Sequence, residues 1–515
     1  MNLLTALNDD VPGSDLRRVV FLFLLALVLK GLVASAIDVV NPDGIRYANS
    51  AYQLWQGNIA AALSHEKMLF YSLTLALAYK ICGDWVVAGQ LISVLFLSLT
   101  VFPLYVLTRA LFGWRAAVWS ALAFVLLPST SALAGTVVKD APFLFFLMSA
   151  TCLGYKAVEE RRSAWFVLAF ISMLLATLYR FEGILFWGVY SAWLAGAALI
   201  HPDKRAGLGR GLAIFLGLPL LGLCSLLALI LTDVVSADFL LNVWLRIKTH
   251  YFHFDFLATY SSIYEFLKSA EKDFLGGIDT NDFFEIARYY ILLIYAVGLV
   301  HVIFASVFPG YFVVAVYGLY ASLKKKVFPY YLFFIIMSYL AMLYFFMITR
   351  NFVAERYTLV VALLLLPFFG YGFQSASALA RTVRAKRTLL TLSLVLLVAV
   401  PLYRSYTKTI KEKVEIRHAG EWLKAHRDVV RQRIITNEKR IPFYAGLMAD
   451  GYDLFALNGQ EGYAGQAASN RNPLVVLSLS RRQDVPPPVW NGFVLVKEFR
   501  GAYKTVLIYE ARSAG

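Results

Sequence analysis

Residues 85–136 read WVVAGQLISVLFLSLTVFPLYVLTRALFGWRAAVWSALAFVLLPSTSALAGT. Two apolar runs, 85–108 and 116–136, flank a short turn that carries Arg109 and Arg115. About 20 apolar residues suffice for an α-helix to cross a bilayer, so the stretch predicts two membrane helices joined by a basic loop. Working outward, the same pattern recurs at 17–36, 141–158, 164–179, 183–200, 211–232, 303–323, 329–348, 357–379 and 388–407, giving eleven expected spans. The first opens on Arg17 and Arg18 as a signal peptide could, but no convincing small-residue cleavage site follows, and it reads as a helix. Stretch 287–323 is continuously apolar apart from Pro309. Two spans there would break the charge alternation described next, so 287–302 is expected to be interfacial or partly inserted, ahead of one span.

Composition agrees. Of 515 residues, 59% are hydrophobic and 16% charged, and the mean hydropathy is +0.64. Soluble domains carry about 45–50% apolar and about 25% charged residues, so an ordinary soluble enzyme and a disordered scaffold are both excluded. Cys82, Cys152 and Cys224 lie in apolar surroundings at no metal or disulfide spacing. The net charge of +15 could suggest nucleic acid, but its distribution gives a plainer cause. Basic residues gather in alternate short loops: Arg17 and Arg18; Arg109 and Arg115; Lys156, Arg161 and Arg162; Lys204, Arg205 and Arg210; Lys324, Lys325 and Lys326; Arg381, Arg384, Lys386 and Arg387. Such loops are cytoplasmic by the positive-inside rule. The N-terminus is then inside, the longer segments 37–84 and 233–288 outside, and the C-terminus outside, in a multi-pass plasma-membrane protein. Beyond residue 408 charges return, with a helix-like EWLKAHRDVV and strand candidates IITN, LVVLSLS, GFVLVKEF and TVLIYE. The expected fold class is therefore a polytopic helical membrane domain, 1–407, followed by a small extracytoplasmic α/β domain, 408–515.

Charges beside apolar spans are expensive and are functional candidates by default. Loop 37–84 carries Asp38 and Asn41-Pro42-Asp43-Gly44-Ile45-Arg46-Tyr47, then His65-Glu66-Lys67. Asn41 suits an N-cap with Pro42 in the first turn, and Asp43 could do no more than complement the helix dipole. Asp140 could likewise be a cap, Arg180 and Glu182 a structural ion pair in a tight outer turn, and Arg350, Glu355 and Arg356 interfacial anchors. Taken together, carboxylates and cations converge on one face from separate loops. That combination suits a phosphate-bearing lipid, with cations for the phosphate and a carboxylate left as general base.

The order of these motifs resembles the GT-C glycosyltransferases, the polytopic enzymes that use polyprenyl-phosphate sugars, and among them the lipid A aminoarabinose transferases and protein O-mannosyltransferases. The family's first outer loop has an acidic pair, a Tyr four residues on and a helix ending in Gly; here Asp43, Tyr47 and Gly57 match, and Gly44 replaces the second acid. Its Lys-Pro-Pro-Leu-Tyr-Tyr segment is similar to Lys67-Met68-Leu69-Phe70-Tyr71, and Met68-Leu69 replaces the paired prolines. A basic Leu-Phe-Gly turn (Arg109 to Gly113), an Asp opening the fourth span (Asp140), an Arg-x-Glu-Gly turn (Arg180 to Gly183) and a late Arg-Tyr (Arg356-Tyr357) follow in order.

The resemblance implies an inverting transfer, on the extracytoplasmic face, from a polyprenyl-phosphate sugar to a hydroxyl of a glycan, lipid or protein. It implies Asp43 as general base and Lys67 and Arg356 as phosphate-binding cations. Asp140, Arg180, Glu182, Tyr47, Tyr71 and Tyr357 are the further substrate-binding candidates, with Asp38 and Glu66 as reserve carboxylates. No nucleotide-cradling Gly-x-x-x-x-Gly-Lys-Ser/Thr loop is present, and no cofactor is expected; a divalent metal lacks a clear ligand set. His250, His253, Asp255, Asp279 and Asp282 make 233–288 a solvated connector or a segment over substrate. Trp422, Tyr444 and Tyr463 read as packing residues, an acceptor surface being the other reading, and His418 and His426 have no metal-ligand partner at useful spacing. Two other classes remain: a transporter or flippase of lipid-linked glycans, which wants charges at mid-depth, and a diphosphate-donor polysaccharide polymerase or ligase. Basic inner loops and a compact outer domain suit a bacterial plasma membrane, an archaeal one being the alternative.

Overall fold

The computed structural model describes residues 13–232, 236, 238, 241–242, 244–245, 248, 255–275, 282–380, 384–409, 413–428, 433–448, 451–454, 474–480 and 493–511. His250, His253, Asp279 and Tyr463 lie outside them. Seven helices among the described residues are individually long and apolar enough to cross a membrane: Gly13–Ser35, Trp85–Phe112, Asp140–Glu160, Gly183–Ile200, Arg205–Ala228, Tyr330–Arg350 and Glu355–Leu379. Two bent pairs, Trp114–Leu126 with Pro128–Ala134 and Asp282–Tyr289 with Ile291–Val307, raise the count to nine. Ser163–Tyr179 and Leu392–Ser405 are apolar but shorter.

Prolines account for the departures from unbroken spans. The expected span 116–136 bends by 53° at Pro128, which lacks an N–H and crowds the preceding turn. Lys30, fully buried in helix Gly13–Ser35, donates to the Thr130 hydroxyl just beyond that bend, at 2.9 Å. Stretch 287–323 divides just before Pro309. It forms helices Ile291–Val307 and Pro309–Lys324, broken at Phe308 with φ +68°. Pro309 disfavours helical backbone in the residue before it.

Two compact units are present, made from the described residues of Met1–Lys30, Val94–Ala134 and Lys139–Ser405, and of Gly31–Ser93, Gly135–Val138 and Tyr406–Gly515. In the first, helix Glu355–Ala380 is central, with 83% of its apolar window buried. Glycines bring its backbone close to its neighbours: a Cβ on Gly318 would lie 1.9 Å from the Phe368 carbonyl oxygen, and one on Gly370 2.1 Å from that of Ala116. Small residues at such crossings are how membrane helices gain van der Waals contact.

The second unit joins loop 37–84 to the C-terminal domain. Helices Pro42–Trp55, Ile59–His65 and Phe70–Cys82 form the loop. The C-terminal part is helix Val414–His426 and short helix Arg440–Tyr444 on a five-stranded sheet: β1 (Ile434–Thr436), β2 (Tyr452–Leu454), β3 (Leu474–Ser480), β4 (Phe493–Arg500) and β5 (Lys504–Ala511). Strand order is β2-β1-β3-β5-β4, with β1 parallel to β2 and β3, and β5 antiparallel to β3 and β4. The four expected strands form; β2 is additional. Ile416, Ala419 and Leu423 of the helix bury against Ile434, Leu474, Val476, Val506 and Ile508.

Candidate active site

In the helical unit the site is built around Arg180. Helix Ser163–Tyr179 ends at Arg180, and Gly183–Ile200 begins after Glu182. The turn is tight enough to require Gly183, since a Cβ there would sit 2.6 Å from the Thr177 backbone nitrogen. Arg180 is 6% exposed. It donates to Asp140, and its Nη2 lies 2.5 Å from Glu182 Oε1. Of the two readings of Asp140, the cap is not the one seen: Lys139 occupies the cap position, and Asp140 is the first helical residue, with its carboxylate on Arg180. Burial works against ionising Glu182, yet Arg180 outweighs it and holds the carboxyl at about 2. The guanidinium also lies over two rings, Tyr357 at 4.8 Å and Phe143 at 5.4 Å.

Beside this cluster opens a cleft of about 610 Å³. Its walls are largely apolar, with Leu185, Leu343, Phe345 and Phe346 among them, while Glu182, Ser338, Tyr339, Arg350 and Tyr357 supply the polar groups. Arg350 ends helix Tyr330–Arg350, and Arg356 lies in the first turn of Glu355–Ala380 with its guanidinium 5.5 Å from the Tyr357 ring. Arg180, Glu182, Asp140, Arg356 and Tyr357 are therefore neighbours. The suspected structural ion pair of Arg180 and Glu182 exists, widened to a triad by Asp140.

The second unit holds the other candidates. Asp43 lies in the first turn of Pro42–Trp55, 30% exposed, with Arg46 Nη2 3.8 Å away. Asn41 occupies the N-cap position without capping through its side chain. Its amide is used on Val137, accepting from the backbone N–H at 2.8 Å. Gly44 has a steric cause: a Cβ would lie 2.8 Å from Val40 Cγ2 and 2.9 Å from Val137 Cβ, which leaves no room for a second acid. Arg46 Nε reaches buried Glu66 at 3.1 Å, tying the helix to the segment that carries half-buried Lys67. Tyr47 and Tyr71 are buried in an edge-to-face pair with centroids 4.9 Å apart.

Arg417 and Lys439 of this unit had no functional reading in the sequence, and Tyr444 had one only as the alternative to packing. Tyr444, taken for packing, accepts the Val40 N–H at 2.7 Å and donates to the Asp38 carbonyl at 3.0 Å. Arg417 Nη1 lies 3.2 Å from the Asp38 carboxylate. Lys439 has its pKa lowered, first by burial; Asp43 opposes that shift and Arg46 adds to it. Among the described residues, no three His, Cys, Asp or Glu side chains gather as a metal site.

Residues 66–232 match the family of dolichyl-phosphate-mannose–protein mannosyltransferases. No curated protein matches the chain in sequence. Among solved structures, ArnT from Cupriavidus metallidurans bound to undecaprenyl phosphate is similar with TM-score 0.55 and 15% identity, over 95% of this chain and 97% of that one. Archaeal oligosaccharyltransferase AglB from Archaeoglobus fulgidus, in complex with an inhibitory peptide and a dolichol-phosphate, is similar with TM-score 0.52 and 13% identity, over 90% of this chain and 69% of that one. The fold is that of the GT-C glycosyltransferases, as the motif order implied.

Proposed function

We propose that the protein is an inverting membrane glycosyltransferase that moves a sugar from a polyprenyl monophosphate to a hydroxyl acceptor at the extracytoplasmic face. The observation that carries this reading is the largely apolar cleft that has Glu182 and Arg350 as its charged groups, set beside a buried Arg180 triad. A polyprenyl phosphate has that profile: a long apolar tail and a compact anionic head. The undecaprenyl phosphate bound to ArnT and the dolichol-phosphate bound to AglB belong to those proteins, and they support the same ligand class here.

In the proposed reaction the acceptor oxygen attacks the anomeric carbon as Asp43 takes its proton. The bond from that carbon to the phosphate oxygen breaks, and the electron pair leaves with the polyprenyl phosphate. Cations stabilise the negative charge that grows there. Arg180 is already engaged by two carboxylates, so its role is to position the turn. Phosphate binding falls to Arg350 and Arg356, with Lys67 as the cation of the first outer loop. The setting is a bacterial plasma membrane, with the N-terminus cytoplasmic and the C-terminal domain outside.

The test is donor saturation in Arg350→Ala. A hydrogen bond to a charged group is worth about 1.5–3 kcal/mol, so donor KM rises roughly 10- to 100-fold. An unchanged donor KM removes Arg350 from phosphate binding, and absence of any polyprenyl phosphate among the lipids copurifying with the parent protein contradicts the cleft assignment.

A further inference from the structure

The second unit contains a cleft of about 790 Å³ that the reaction above does not use. This lies within the roughly 300–1,000 Å³ range of small-molecule sites. Its composition is unlike that of the lipid cleft. Six aromatic side chains line it: Tyr52, Trp55, Tyr79, Trp85, Phe443 and Tyr444. Tyr79 and Trp85 stack 3.8 Å apart at 10°. Gly83 builds that stack, because its left-handed φ of +68° closes helix Phe70–Cys82 and brings the next helix back beside it. Trp55, the last residue of its helix, is 52% exposed.

The polar lining is equally specific. Arg417 is spread between Asp38 at 3.2 Å and Glu421 at 2.7 Å. Asp84 is fixed by the N–H groups of Val86 and Val87 at 2.8 and 2.9 Å. Gln90 is held by the Ile37 carbonyl at 2.8 Å, and Lys424 completes the wall. Three carboxylates stand against two cations, so an anionic headgroup meets a wall with excess negative charge. Flat aromatic faces beside fixed acceptors and donors suit a ligand with one C–H face and a rim of hydroxyls.

We infer that this cleft is a binding subsite for a neutral pyranose, held by the Tyr79–Trp85 stack and Trp55 and read at its hydroxyls by the Asp38–Arg417–Glu421 chain. Its role as the acceptor subsite rests on the proposed glycosyl transfer; the binding itself does not. It makes the acceptor a glycan rather than a bare lipid or peptide hydroxyl.

The experiment is saturation-transfer NMR on the full chain in nanodiscs. The probes are the methyl pyranosides of glucose, mannose, galactose and N-acetylglucosamine, with glucose 6-phosphate as the anionic control. At least one neutral pyranoside should show saturation on its ring C–H protons, and the anion less. Trp85→Ala and Trp55→Ala should each reduce that signal at least fivefold. Trp55 is exposed, so its variant tests the site even if loss of Trp85 loosens the fold. Both variants should still copurify with polyprenyl phosphate as the parent does, while losing transfer to a glycan. No signal from any neutral probe, a signal untouched by both substitutions (aromatics serving only as a membrane-interface belt), or stronger binding of the phosphorylated sugar would overturn the inference. Saccharide binding without donor turnover in the parent protein would sink the proposed reaction and leave the subsite standing.

Discussion

Arg180 donates to Asp140 across forty residues of sequence, and the same guanidinium grips Glu182 two residues away. This joins the start of helix Asp140–Glu160 to the turn between two others. The arrangement is buried and charged, and such pairs are sensitive to the loss of one member. Their net gain is small because both ions are desolvated, but removing one leaves the other uncompensated.

Arg180→Met should therefore lower stability by about 3–5 kcal/mol, read as a fall in melting temperature in detergent. Arg180→Lys should recover only part of the loss, because an ammonium cannot fork between two carboxylates. Replacing Asp140 by Leu in the Met variant should restore stability towards the parent. An Arg180→Met protein that melts with the parent removes the triad from any structural role.

Lys439 and Arg46 both act on Asp43, Arg46 from 3.8 Å. A nearby cation favours the ionised carboxylate. Lys439→Met should therefore make Asp43 harder to ionise and move the acidic limb of kcat/KM to higher pH. The alkaline limb should stay in place. An acidic limb that does not move, or that moves to lower pH, contradicts either the placement of Lys439 or the use of Asp43 as a base.

Glu438 offers a stability test in the C-terminal domain. Burial disfavours its charge, but Arg440 Nη2 at 2.6 Å and Lys504 at 3.1 Å overcome this and hold its carboxyl at about 2. A carboxyl with a depressed folded pKa stabilises above its unfolded value and loses that contribution as pH falls through the folded one. Glu438→Gln should then melt well below the parent from pH 7 to about 5, and the gap should narrow as pH drops toward 3. A gap that is constant across this range, or widens in acid, rules out the linkage.

Much of this architecture could be read from the chain because it is written locally. Apolar runs such as 85–108 and 329–348 announce helices by composition alone, and LVVLSLS and TVLIYE announce strands. Arg180 and Glu182 share one turn, so their pairing was legible too. Breaks were harder: Pro128 and Pro309 were visible, but where a helix yields depends on the backbone before the proline. Contacts between distant segments left no local signal. Asp140 resembled a cap because a carboxylate at a helix start serves equally as cap or ion-pair partner. Tyr444 meets Val40 across more than 400 residues, and nothing near either position marks that bond. Gly44 reads as a missing acid until the crowding by Val40 and Val137 is seen.

The central claim is that Asp43 removes a proton while a polyprenyl monophosphate leaves. Its most direct measurement is the release of free polyprenyl phosphate from a radiolabelled polyprenyl-phosphate sugar, with a glycan acceptor present, by the parent protein and by Asp43→Asn. The account predicts acceptor-dependent release by the parent and its loss, by a factor of about 100 or more, in a variant that keeps the parental melting temperature. Undiminished release by Asp43→Asn would contradict it.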